Sequence, residues 1–303
     1  MLDQYQFHQM TLTWLEGASF LMDGGANYGP VPRAVWGRYY PYNDNNQIPV
    51  LADPILIQYQ DKNYLIDTSI EVGKLDQKMK RNLGIVSPAN LTGSLNELNL
   101  RPEDIDVVLM THMHNDHASG LTYMEAGQLQ SRFPQAKIYM SQIEWEEVRN
   151  PNARTRNTYR KENWETIQDQ VVTFDKEIEL EKGIRMELTG GHSRGHAIVR
   201  LEQAGETLIH LADLLLTCTH TNPLWVGGVD DYPMDSIAAK EKLMPEALKG
   251  HYRFLFYHDP FYRMIEYSED GKAIIDGLKS SHTSPLPITG HQDKFPRRMT
   301  YFA

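Results

Sequence analysis

A single cysteine, Cys218, occurs in 303 residues, so no intramolecular disulfide can form and the chain suits a reducing compartment. Long apolar runs are missing too: no stretch approaches the roughly eighteen residues of a membrane span. The opening residues, MLDQYQFHQMTLTW, lack the basic region and apolar core of a signal peptide. These absences predict a cytoplasmic protein without a membrane partner. Positive charge is short as well, with 30 Lys and Arg against 40 Asp and Glu, a net charge of −10. An acidic balance repels phosphate backbones and argues against nucleic acid. The densest basic stretch, residues 149–161, holds four arginines and one lysine, but Glu162 and Glu165 follow at once. It reads as a solvated helix face. Repeats, low-complexity linkers and composition breaks are also lacking, so residues 1–303 read as a single domain.

What is present is the patterning of an α+β protein. Period-two or short continuous apolar runs predict strands at residues 10–15, 54–60, 64–67, 107–110, 137–140, 184–188, 197–201, 207–211 and 254–257. Helical spacing predicts helices at 73–83, 142–148, 158–169, 236–249 and 270–280. Strands in meander-like pairs with single helices between them predict packed sheets covered by helices, not a doubly wound parallel sheet. Residues 24–47 stand apart, rich in Gly, Pro and aromatics with no period. A loop of this length in a compact domain is commonly functional. It reads as a lid or pocket wall carrying Tyr28 and Trp36, with a subunit contact or plain surface packing as the alternative. A homodimer is thus left open. Residues 282–303 read as an irregular tail.

The chemistry concentrates in VVLMTHMHNDHASG, residues 107–120. An apolar strand runs into His112-x-His114-x-Asp116-His117. In an extended chain alternate side chains share a face, so His112 and His114 can reach one metal. As the chain turns toward a helix, Asp116 and His117 address a neighbouring position. Further ligands lie at strand ends. His192 follows two glycines that permit a tight turn, Asp213 closes TLIHLAD as a carboxylate able to bridge, and His258 closes FLFYHD. Each of these three alone has the alternative of a polar strand-end cap. Together they complete two adjacent sites, and imidazole with carboxylate suits zinc, with iron, manganese or cobalt as alternatives. His196, His210 and Cys218 read as structural. Trp14, Trp145 and Trp164 read as core or half-buried packing.

The order HxHxDH, then His, Asp and His further along, resembles the metallo-β-lactamase superfamily. MDGGANYGPVP, DPILIQ, THMHNDHASGLT, GGHSRGH, NPLWV, DDYPM and FYHD resemble its YtnP-type quorum-quenching N-acyl-homoserine lactonases, over residues 8–270. The resemblance implies an αββα sandwich of two mixed sheets flanked by helices, with a dinuclear site at one sheet edge. It assigns His112, His114 and His192 to the first metal, Asp116, His117 and His258 to the second, and Asp213 between them. Asp67 in YLIDTS matches an aspartate that supports the ligands. The implied activity is hydrolysis of a small-molecule lactone or other ester. Two divalent ions would lower the pKa of a shared water, and Asp116 would shuttle the proton. One departure stands out: such lactonases carry a tyrosine three residues after the bridging aspartate, and here that position is Leu216. His220 or a lid tyrosine would have to replace its hydroxyl, or the substrate differs. Aryl esters, organophosphates and β-lactams are the alternatives for the same site, and a di-iron redox protein is the alternative of another class.

Overall fold

The computed structural model describes residues 1–286, so most of the predicted tail lies outside the described residues. The chain divides into two compact units, each built from two stretches of sequence: Met1–Ser19 with Ala52–Ile178, and Phe20–Leu51 with the residues from Glu179 onward.

The first unit carries a seven-stranded mixed sheet in the order Gln4–Phe7, Met10–Trp14, Ile55–Tyr59, Lys62–Ile66, Val107–Leu109, Lys137–Ser141 and Val171–Phe174. The first three junctions are antiparallel and the last three parallel. Parallel strands deliver their carboxyl ends to one edge, where open α/β sheets place their sites. Ile66 is followed there by Asp67, Leu109 by the HxHxDH run, and Ser141 by the helix Gln142–Arg149. The unit's core is a cluster of buried aliphatics from the strands and helices, among them Leu56, Leu65, Val108, Met110, Ile138 and Met140. Trp145 and Trp164 pack half-buried against it.

The second unit has its own seven-stranded sheet, running in sequence order from Glu177–Glu181 to Ile274–Lys279. Its parallel junction joins Glu206–His210 to Arg253–Leu255, and the helix Pro233–Lys249 makes that crossover. Among the described residues no helix is long and apolar enough to cross a membrane.

Three predicted helices change. Residues 73–83 split into a 3-10 turn, Val72–Lys74, and a short helix, Gln77–Asn82, whose Asp76 cap accepts from Met79 N–H at 2.7 Å. Residues 158–169 form only 3-10 turns. Specific anchors override the periodicity: Tyr159 donates to Glu144, Thr122 donates to Glu162 O, and Trp164 meets Trp145 edge-on. Residues 270–280 instead hold the edge strand Ile274–Lys279, paired with Tyr262–Tyr267. Ile274 and Leu278 fit a helical spacing, but ladder pairing decides so short a window.

Candidate metal centre

In the first unit the strand stops at Leu109, earlier than predicted, and the histidines sit beyond it in an extended loop and the four-residue helix Asn115–Ala118. The rings crowd together: His112 lies 4.6 Å from His114 and 4.0 Å from His117, centroid to centroid. Asp67 organises them. Its backbone is left-handed, with φ of 54°, a strained choice for a residue with a Cβ. Fully buried, it accepts from Thr111 N–H at 2.9 Å, Thr111 Oγ1 at 2.7 Å and His117 Nδ1 at 2.8 Å. Since the Thr111 hydroxyl donates to the carboxylate, its oxygen accepts from His112 Nδ1–H at 3.0 Å. In both imidazoles Nδ1 is the bonded nitrogen, which leaves Nε2 as the one able to ligate a metal. Glu144, also fully buried, accepts from Met113 N–H at 2.7 Å, between the two motif histidines. Asp116, by contrast, keeps about a third of its side chain open, 4.0 Å from His117 Nε2. At Gly120 an added Cβ would fall 1.8 Å from Thr68 O, so only glycine lets the motif lie against that strand end.

The second unit presents a group of its own. Gly190 and Gly191 turn at φ of 66° and 97° and release His192 from the strand Ile184–Leu188. His192 Nδ1 is 2.9 Å from Asp230 Oδ1, and its Nε2 is 3.1 Å from Asp213 Oδ2. His258 repeats the pattern, with Nδ1 2.6 Å from Leu51 O and Nε2 3.2 Å from Asp213 Oδ1. A carbonyl oxygen only accepts, so His258 carries its proton on Nδ1. With the proton of each ring on Nδ1, the nitrogen turned toward each oxygen of Asp213 is Nε2, across a gap where a neutral ring would set lone pair against anion. A divalent cation at each gap turns both contacts attractive, and imidazole with carboxylate is a donor set that zinc accepts. Asp213 itself lies in the 3-10 turn Ala212–Leu215, just past the strand end at His210.

The other sequence candidates fall as follows. His210 is a strand residue bonded through Nδ1 to Leu255 O, and His196 through Nδ1 to Thr189 Oγ1. Burial and the neighbouring Asp259 push the Cys218 thiol well above its ordinary pKa. Trp14 is buried in the first unit's core region. Residues 24–47 are not a bare loop. They fold into the short helices Gly24–Tyr28, capped by the Asp23 carboxylate, and Arg33–Trp36, which starts after Pro32. Trp36, Tyr28 and His220 stack as three near-parallel rings, 4.6 and 4.5 Å apart. All three are buried, so Tyr28 and Trp36 reach a ligand only through the neighbours they support. Tyr28 Oη meets Thr219 Oγ1 at 2.9 Å. His220 is bonded at both nitrogens, to Asn27 O and Thr217 Oγ1, and burial lowers its pKa to about 3. Leu216 is buried and offers no hydroxyl. Three residues that sequence reasoning passed over also matter: Asp230, Glu144 and Lys240. Only Asp230 left a trace, in the phrase DDYPM.

Residues 49–258 match the metallo-beta-lactamase superfamily, and the chain belongs to that family. Its fold is the metallo-β-lactamase fold of mixed sheets and helices, and it is a hydrolase of that type with His and Asp groups able to bind metal. It is 40% identical to a probable metal-dependent hydrolase from Staphylococcus aureus, covering 92% of this chain and 100% of that one with a TM-score of 0.88. It is 30% identical over 193 residues to the N-acyl homoserine lactonase AiiB of Agrobacterium fabrum, covering 58% of this chain and 66% of that protein, just under two thirds of its length. AidC, a dizinc quorum-quenching lactonase solved with N-hexanoyl-L-homoserine, shares the fold at 17% identity, with a TM-score of 0.74 over 94% of this chain and 98% of that one.

Proposed function

We propose that this protein is a dinuclear metal-dependent lactonase acting on N-acyl-homoserine lactones. The observation that carries the metal centre is Asp213, whose two oxygens each face an imidazole already pinned through Nδ1. On this reading His112, His114 and His192 would hold one ion and Asp116, His117 and His258 the other, with Asp213 offering an oxygen to each. Zinc is the preferred metal. When bound, such ions supply an acidified water and a Lewis acid for the ester carbonyl. The chain's own residues do the rest. Asp67 and Asp230 hold the imidazoles in one tautomer, and Asp116, the one ligand left partly open, moves the proton from water to the leaving alkoxide. The named activity of AiiB supports the lactone as substrate class. Leu216 favours a second reading, in which an aryl or phosphate ester replaces the lactone, because no hydroxyl stands at that position.

Elemental analysis of chelator-free protein is expected to show close to two metal equivalents, because seven ligands exceed the four of a single zinc. A reproducible value of one with full activity would refute the dinuclear centre. A panel of butyryl to decanoyl homoserine lactones beside paraoxon and an aryl acetate tests the substrate. Faster turnover of paraoxon than of every lactone would transfer the assignment to the second reading.

A further inference from the structure

The segment from Asn222 to Asp230 belongs to two structures at once. At its end Asp230 holds His192, and the next two amides, of Asp231 and Tyr232, donate to His192 O at 3.0 Å and Gly191 O at 2.9 Å. In its middle it packs on the lid. Gly228 N–H donates to Ala26 O at 2.9 Å, and Trp225 stands edge-on to Tyr28 at 5.9 Å. Gly29 lies so close that a Cβ there would fall 2.6 Å from Val226 O. Under this segment runs the helix Pro233–Lys249, and from it the Lys240 ammonium, fully buried, donates to Trp225 O at 2.6 Å. Lysine is almost never wholly buried, and a neutral carbonyl repays little of its lost hydration. Burial pushes the amine down to about 7, with Asp230 as the opposing influence. A methionine would fill the same space without that cost, so packing alone does not account for an amine here.

We propose that Lys240 is a positioning residue for the metal centre: by fixing the Trp225 carbonyl it sets the course of the Asn222–Asp230 segment, and through it both the lid and the His192 imidazole. The inference rests on the metal-centre reading above and extends it to a residue that touches neither metal nor substrate.

Lys240→Met in the metal-loaded protein tests it. Half of the metal is expected to leave at about tenfold lower chelator concentration than in wild type, in line with the loss on removing an outer support of a ligand. KM for decanoyl-homoserine lactone should rise several-fold more than KM for the butyryl compound, with kcat changed less. Wild-type metal retention in a folded variant overturns the proposal, even if its Tm has fallen, because a purely structural lysine would act on stability alone. If the methionine variant does not fold, Lys240→Gln offers a donor about one bond short of the carbonyl and should release metal in the same direction by a smaller factor. Wild-type retention there likewise overturns it. The chelator measurement needs no lactone. A wild-type enzyme inert toward lactones would therefore count against the proposed substrate and leave this inference to be decided by metal release.

Discussion

Asp213 offers two oxygens to two imidazoles, so a single truncation disturbs both halves of the proposed centre. Asp213→Ala is expected to lose both metals and nearly all hydrolysis. His210 sits three residues earlier, bonded to Leu255 O inside the sheet. His210→Ala should keep two equivalents of metal and lose only about 1–3 kcal/mol of stability, the cost of stranding a buried acceptor. Elemental analysis of the two purified variants decides, and equal metal content would refute the shared carboxylate. At this scale the candidate ligands of the first unit were readable because HxHxDH is dense in sequence and its grouping needs no tertiary information. Of the supporting carboxylates only Asp67 was named beforehand, from the resemblance. Asp230 and Glu144 find their partners 38 and 31 residues away, and carboxylates are too common to stand out without the fold.

Elements are carried by backbone positions that few residues tolerate. Gly191 combines φ of 97° with a hypothetical Cβ 2.6 Å from Ser236 N. Gly127 has φ of 81° with nothing within 4 Å. Gly127→Ala should therefore cost only the backbone term, about 1–2 kcal/mol. Gly191→Ala should cost more and release metal as well, since the turn it distorts delivers His192. Urea unfolding with chelator titration separates the two, and equal losses would mean that the turn tolerates displacement. The packing of residues 24–47 can be tested in the same way. Trp36 and Tyr28 stack at 4.6 Å and are buried, so Trp36→Ala should open a cavity and cost about 3–5 kcal/mol. Unchanged urea unfolding would show that the stack does not bear on stability. The strands predicted in continuous apolar runs match the structure to within a few residues. The helices at 158–169 and 270–280 fail because Tyr159, Thr122 and a sheet edge supply partners that periodicity cannot register. The helical folding of residues 24–47 escaped for the same reason, its stack with His220 being a contact almost two hundred residues long.

For the whole molecule, two buried bases fix how stability depends on pH. Lys240 falls from an ordinary 10.5 to about 7, and His220 from 6.5 to about 3, each mainly through burial. Between pH 7 and 10.5 the unfolded chain holds the Lys240 proton and the folded chain does not. Stability therefore rises with pH across that window, by at most about 1.4 kcal/mol per unit. Below pH 7 both states hold the proton and Lys240 contributes no slope. Lys74, also lowered to about 7 by burial, acts with the same sign. His220 works at the other end: between pH 6.5 and 3 the unfolded chain takes up a proton that the folded ring refuses, so stability falls as the solution is acidified. Metal loss would add its own acid limb and differ between variants, so the comparison is made on chelator-stripped protein. Lys240→Met should remove its share of the alkaline rise, leave that of Lys74 and keep the acid limb in place, whereas His220→Asn should weaken the acid limb and keep the alkaline rise. Urea midpoints taken every half unit from pH 4 to 10 test both. Curves parallel to wild type for either variant would show that the substituted residue is not the group being titrated.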